Sequence, residues 1–371
     1  MNVTRRYFAR ASSLLAAGAS LPFYNEFALA QDAAERVNRS FPANAVRIGS
    51  NENPLGPCPE ALEAIYSAAR QGGRYGVPSA LEFPKVAADM EGLKPNYVQP
   101  YPGSSDPLFR SVCSFVSPTK SLVMGDPGYE AGSRAAEFIG AKVHRVPLIG
   151  SSYKHDVKAM LAADPQAGVY YICNPNNPSG TMTPKEDIAW LVNNKPAGSL
   201  VLVDEAYIHF SHAEACSDMV SADKDVIVLR TFSKAYGMAG IRAGLALGRP
   251  DLLAKLRVWG AGMLPVTGMA AASASLKVKG LIPERRKINK DIREETLAWL
   301  QKKGVGFVPT ESNKFMMDVK RPGMEVVKAF AEQSVYIGRV WPIWPQHVRV
   351  TVGTAEEMKK FREAAVKALG V

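Results

Sequence analysis

The run GVYYICNPNNP, residues 168–178, decides how the chain folds. Its first six residues show no polar alternation, so the segment reads as a strand buried on both faces, and it stops in a loop of asparagine and proline. Three more runs follow the same plan. SLVM (121–124) leads into GDPGY, LVLV (200–203) ends at Asp204, and DVIVL (225–229) ends just before Thr231. Helix-length segments separate these runs, which predicts an α/β fold with parallel strands, because consecutive parallel strands need a crossover. Loops that follow parallel strands meet at one edge of the sheet, so their polar residues share a cleft.

The next stretch, LRTFSKAYGMAGIRAG (229–244), poses a question about one residue. Lys234 stands among small and hydroxyl residues, with Arg242 eight positions on. It is either a solvated surface charge or a chemical group held in a pocket. The company it keeps favours the pocket. The strand-end loops offer an aromatic ring (Tyr129), an amide (Asn177), a carboxylate followed by a phenol (Asp204, Tyr207) and the hydroxyls Thr231 and Ser233. Ser104 and Ser105 precede a helix expected from Pro107 to Val116, with Asp106 and Pro107 as start signals. A small-residue turn at a helix N-terminus suits a phosphate. An amine for a Schiff base, an anion for a pyridine nitrogen, donors for a phosphate and a stacking ring together make the requirements of a pyridoxal phosphate site.

Composition sets the outer bounds. The chain has 371 residues, 47% of them hydrophobic, enough for one large core or two linked ones. Its net charge of +10 is scattered apart from a short cluster at Arg285, Arg286 and Lys287, so it makes no nucleic-acid footprint. No metal site is expected either, since the four cysteines (58, 113, 173 and 216) are widely spaced and form no CxxC pair. At the N-terminus, Arg5 and Arg6 precede the apolar run ASSLLAAGASLPF and the small-residue site Ala28-Leu29-Ala30. That order resembles a twin-arginine signal peptide over residues 1–30 and predicts a periplasmic protein. After about Pro265 the pattern changes to long helical stretches, then short strands near Lys314, Val335 and Val348 and a closing helix, which predicts a smaller α+β unit.

The motifs NPNNPSGT, VDEAY and TFSKAYGMAGIRAG resemble the fold-type-I, class I and II aminotransferases, in their histidinol-phosphate aminotransferase branch. SNENPLGP (50–57), RYG (74–76), SNKF (312–315) and VRVTVGT (348–354) extend the likeness over nearly the whole chain after residue 45. The resemblance implies a large domain with a mostly parallel seven-stranded sheet between helices and a smaller α+β C-terminal domain. It implies an arm over 31–75, the large domain over 76–265 and the small one over 266–371. Lys234 would form the Schiff base and move the substrate's proton, Asp204 would pair with the pyridine nitrogen, and Tyr207 and Asn177 would hold the ring oxygen. Tyr129 would stack on the ring. Ser104, Ser105, Thr231, Ser233 and Arg242 would hold the phosphate, joined by Tyr75 from the partner subunit of a homodimer. Asn53, Arg339 and Arg349 would meet the substrate. The reaction implied is amino transfer between an amino acid and a 2-oxo acid. An oxygen-using amino-acid oxidase or lyase-type variant of the same fold, and a cofactor-binding protein without turnover, are the alternatives. An exported enzyme would not serve histidine synthesis, which belongs in the cytoplasm.

Overall fold

The computed structural model describes residues 41–150, 152–260 and 264–371, so the signal-peptide expectation lies outside the described residues. The strands, in chain order, are β1 (Val46–Ile48), β2 (Val98–Tyr101), β3 (Leu122–Asp126), β4 (Val143–Pro147), β5 (Val169–Cys173) and β6 (Leu200–Asp204). There follow β7 (Val226–Thr231), β8 (Gly244–Gly248), β9 (Gly306–Phe307), β10 (Lys314–Asp318), β11 (Val335–Ile337) and β12 (His347–Thr351).

Seven strands form the main sheet in the order β2-β8-β7-β6-β5-β3-β4. Neighbours from β4 across to β7 pair in parallel, while β8 runs antiparallel to both β7 and β2. The expected mostly parallel seven-stranded sheet is therefore present. Every residue of β5, β6, β7 and β8 is buried. Their valines, leucines and isoleucines alternate between two cores, one on each face of the sheet. Each such side chain contributes about 1.5–3 kcal/mol on leaving water, which is why these strands carry no polar residue until their ends.

Helices cover both faces. Val266–Lys277 packs on Pro59–Ala69 and Val77–Glu91 and buries Met269, Ala271 and Ala272 in one core. Its small residues let the three helices approach closely. On the other face, helix Ser105–Phe115 packs against Ala131–Phe138 and Pro250–Arg257. A separate core lies between β10, β12 and helices Leu281–Lys302, Gly323–Glu332 and Ala355–Ala365. This smaller unit holds the antiparallel set β12-β10-β9. The early strand β1 joins it through parallel pairing with β11, 289 positions apart at Val46 and Val335. Strand β1 thus adds to the C-terminal unit across most of the chain's length.

Asp204 and Thr231 end adjacent strands, and Glu205, just past β6, is fully buried beside the Arg230 guanidinium. Arg230 also grips Glu91 at 2.8 and 3.0 Å, so a charged cluster fixes the ends of β6 and β7 relative to helix Val77–Glu91. All four cysteines are buried and unpaired. Among the described residues no helix is long and apolar enough to cross a membrane.

Candidate active site

A cavity of about 380 Å³ opens at the edge where β3, β5, β6 and β7 end. Ten of the residues named from sequence line it: Ser104, Ser105, Tyr129, Asn177, Asp204, Tyr207, Thr231, Ser233, Lys234 and Arg242. Four different strand-end loops and one helix start supply them, which is what a parallel sheet with one polar edge provides.

The phosphate end is a basin of donors. Ser104 precedes helix Ser105–Phe115, yet its side chain does not cap the helix; it faces the cavity instead. Across from it, the Thr231 hydroxyl donates to Ser233 Oγ at 3.0 Å, and Arg242 Nη1 reaches the same oxygen at 3.3 Å. Arg242 also donates to the carbonyls of Ala239 (2.7 Å) and Pro102 (2.9 Å), which aim its guanidinium. Gly103 is required here: a Cβ on it would stand 2.3 Å from Arg242 Nη2, and its φ of 93° lies where side chains are disfavoured. Burial lowers the Arg242 guanidinium from its ordinary range, and a phosphate dianion would offset that cost.

At the other end sits Asp204, fully enclosed. Burial pushes its carboxyl up to about 6, against the pull of the Tyr171 hydroxyl at 3.0 Å, the Ala206 N–H at 3.2 Å and the charges of Lys234 and Lys314. A carboxylate held this way gains from a cationic N–H partner. The Lys234 Nζ lies 5.5 Å from the centroid of the Tyr207 ring, and Tyr129 packs at the cavity wall with its hydroxyl 3.4 Å from Ser105 Oγ. A donor basin at one end, a buried acid at the other and an amine between them fit pyridoxal phosphate.

Sequence reading missed one member and misplaced another. Asn51, not Asn53, reaches the site: its Nδ2 donates to Tyr207 Oη at 3.0 Å and Asn177 Oδ1 at 3.4 Å. Its backbone sits at a φ of 55°, a conformation asparagine tolerates better than most residues, and that was the available signal in SNENPLGP. Asn53 instead donates to the Ala235 carbonyl at 3.0 Å and lines a neighbouring, smaller cavity. Lys314 was quoted within SNKF without a role, yet it is fully buried with its Nζ 3.1 Å from the Tyr207 ring centroid.

The remaining three residues divide. Arg349, fully buried on β12, donates to Asn177 Oδ1 at 2.9 Å and to the Gly49 carbonyl at 2.6 Å, tying the small sheet to the cavity wall. Arg339 makes two bonds of 3.2 Å to Glu130, next to Tyr129, and lies over Trp341, which in turn donates to the Gly128 carbonyl. Tyr75 is 78% exposed and stands apart from the cavity.

The chain matches the family of class I and II aminotransferases over residues 43–364. It belongs to that family. Among curated relatives, the histidinol-phosphate aminotransferase of Symbiobacterium thermophilum is 35% identical, over 88% of this chain and 91% of its own. That of Moorella thermoacetica is 29% identical, over 86% and 84%. A solved structure from Erwinia carotovora atroseptica has 30% identity and a TM-score of 0.83, covering 86% of this chain and 94% of that one. The histidinol-phosphate aminotransferase of Sinorhizobium meliloti, solved with pyridoxal-5'-phosphate, superimposes with a TM-score of 0.81 at 24% identity, over 95% and 96%. This aminotransferase is a pyridoxal-phosphate-dependent transaminase, and the oxidase alternative is not the one its relatives favour.

The raised carboxyl predicts a pH signature in the cofactor-free aminotransferase. An acid whose folded value is raised costs stability as pH climbs from its unfolded value of 3.8 to its folded value of about 6. The melting temperature of Asp204→Asn should therefore gain on the wild type across that window and level off above it. The full difference is worth at most about 3 kcal/mol, and a gap that does not change with pH would contradict the assignment.

Proposed function

We propose that this aminotransferase moves the amino group of an α-amino acid to a 2-oxo acid, with Lys234 as the residue that holds the cofactor and moves the proton. The observation that supports this reading is the placement of the Lys234 amine in one cavity with the Asp204 carboxylate and the Ser104, Ser105, Thr231, Ser233 and Arg242 donors. Bound pyridoxal phosphate supplies an aldehyde for the amine and a ring that takes up electrons. Lys234 Nζ would carry the proton from the substrate's α-carbon to the cofactor's aldehyde carbon, a task suited to an amine that loses its charge when partly desolvated. Asp204 would stay ionised and pair with the ring nitrogen. Tyr207 and Asn177, both held by Asn51, would hold the ring oxygen, and Tyr129 would stack on the ring. Arg349, bonded to Asn177 of the cavity lining, would grip the substrate's carboxylate, and the Arg339–Glu130 pair stands behind Tyr129.

The curated relatives are named for histidinol phosphate, whose phosphate would need a cation at the far wall. In this chain Arg339, the second arginine that the resemblance turns toward the substrate, is held by Glu130, which supports an amino acid over that phosphate ester. The wild-type protein should convert its bound cofactor to the amine form with amino acids, and turnover confined to histidinol phosphate would replace this reading. Lys234→Ala should lose the borohydride-reducible cofactor linkage and about a thousandfold or more in activity; a retained linkage would remove Lys234 from the mechanism.

The reading extends to assembly and location. Tyr66, Tyr75, Val77 and Leu81 are exposed on or beside helices Pro59–Ala69 and Val77–Glu91, an apolar surface suited to a second copy of the chain. Tyr75 on that surface would then reach the partner's phosphate. The wild type should sediment as a dimer and a Tyr66→Asp, Leu81→Asp protein as a monomer; a monomeric wild type would refute the interface. Export rests on the residue order at 1–30 alone. A reporter fused to residues 1–35 should leave the cytoplasm and stop doing so when Arg5 and Arg6 become lysines, whereas undiminished export excludes the twin-arginine route.

A further inference from the structure

Lys314 is a second buried amine beside the first, and nothing in the reaction described above uses it. It opens β10 opposite Thr351, and its own carbonyl accepts from Thr310 Oγ1 at 2.7 Å, so the backbone that carries it is fixed. Its Nζ donates to Ser312 Oγ at 2.9 Å and rests 3.1 Å from the centroid of the Tyr207 ring. Lys234 Nζ is 5.5 Å from the same centroid, so the two amines are no farther apart than the sum of those distances. Removing an ammonium from water is costly, and an aromatic face with one hydroxyl is modest compensation. A neutral side chain would fill the same space at less cost.

The groups around the Lys234 nitrogen show what that charge does. Asp204, from the end of β6, favours the cationic form, while Glu52 at the cavity wall lies 3.9 Å from Arg47. Arg242, from the loop after Lys234, serves the phosphate, and Arg349, from β12, serves the substrate's acid. Tyr129, Tyr207 and Cys173 complete the titratable surroundings. Lys314 brings a further basic group to this wall, on the face of Tyr207. Its field also acts on Asp204 and Cys173.

We propose that Lys314 is a positioning residue whose ammonium, held on the face of Tyr207, sets a fixed positive charge that favours the uncharged form of the cofactor-binding Lys234 nitrogen. A neighbouring cation is one general means of keeping a reactive lysine unprotonated. At the same time the ammonium pins the Tyr207 ring from one side while Asn51 holds its hydroxyl, so charge and orientation are delivered together.

The proposal rests on Lys234 carrying the cofactor, and the two are tested separately. Borohydride reduction followed by peptide mass spectrometry establishes whether the cofactor is on Lys234. The pH midpoint of the holoenzyme's visible absorbance then reports the proton on that nitrogen. In Lys314→Met and Lys314→Gln the midpoint should rise by about one pH unit, and in Lys314→Arg it should stay close to the wild type. A midpoint that stays put or falls in the neutral variants, with the cofactor still on Lys234, overturns the proposal. Should neither neutral variant fold, the wild type decides: NMR of isotopically labelled lysine side chains must show Lys314 charged through neutral pH. A Lys314 resonance that titrates below pH 7 overturns it.

Discussion

The structure depends on the requirement that β5, β6 and β7 be buried on both faces. A strand in that position cannot carry an uncompensated polar side chain along its length, so each polar residue is displaced to the point where the strand stops. Because the strands run in parallel, those points coincide, and Asn177, Asp204 and Lys234 follow three neighbouring strand ends at one edge. The reactive groups are gathered by the same force that assembles the core. Reversal of β8 completes the arrangement, since the chain must turn back at that edge after Lys234 and so brings Arg242 to the cavity from the same loop.

The second layer of organisation comes from the small unit, which finishes the site without contributing to the large sheet. Arg349 holds Asn177, Asn51 joins Thr351 to Tyr207, and Trp341 donates to the Gly128 carbonyl just before Tyr129. Each contact crosses from the small sheet or the N-terminal arm to a strand-end loop of the large one. A shift of one unit against the other would therefore register directly at Tyr207 and Asn177. Coupling of that kind lets the far side of the substrate influence groups that orient the cofactor.

What was legible in the sequence follows this division. The large-sheet residues were readable because the signal is local: an apolar run followed by a polar residue marks both the strand and the site, as at LVLV before Asp204. Contacts made by the small unit join residues as much as 300 positions apart, as Asn51 and Thr351 are, and no local pattern encodes such a pairing. Hence Asn53 was named while Asn51, two positions before it, is the one bonded to Tyr207 and Asn177. Arg339 could be named but its commitment to Glu130 could not, since the two are 209 positions apart. Ser104 and Ser105 were readable as a small-residue turn before a helix, a local signal again, and both line the cavity.

The buried cysteines carry a consequence for how the protein meets an oxidant. Attack on a disulfide or peroxide requires the thiolate, and burial pushes Cys113 up to about 11 and Cys216 up to about 12, with Cys173 raised further still. Their side chains are also shut away from solvent and from one another in the native fold. The chain thus reaches its native state with no cross-link to form and no exposed thiol to protect. Its native fold owes nothing to a cross-link, so a reductant removes nothing that holds it together.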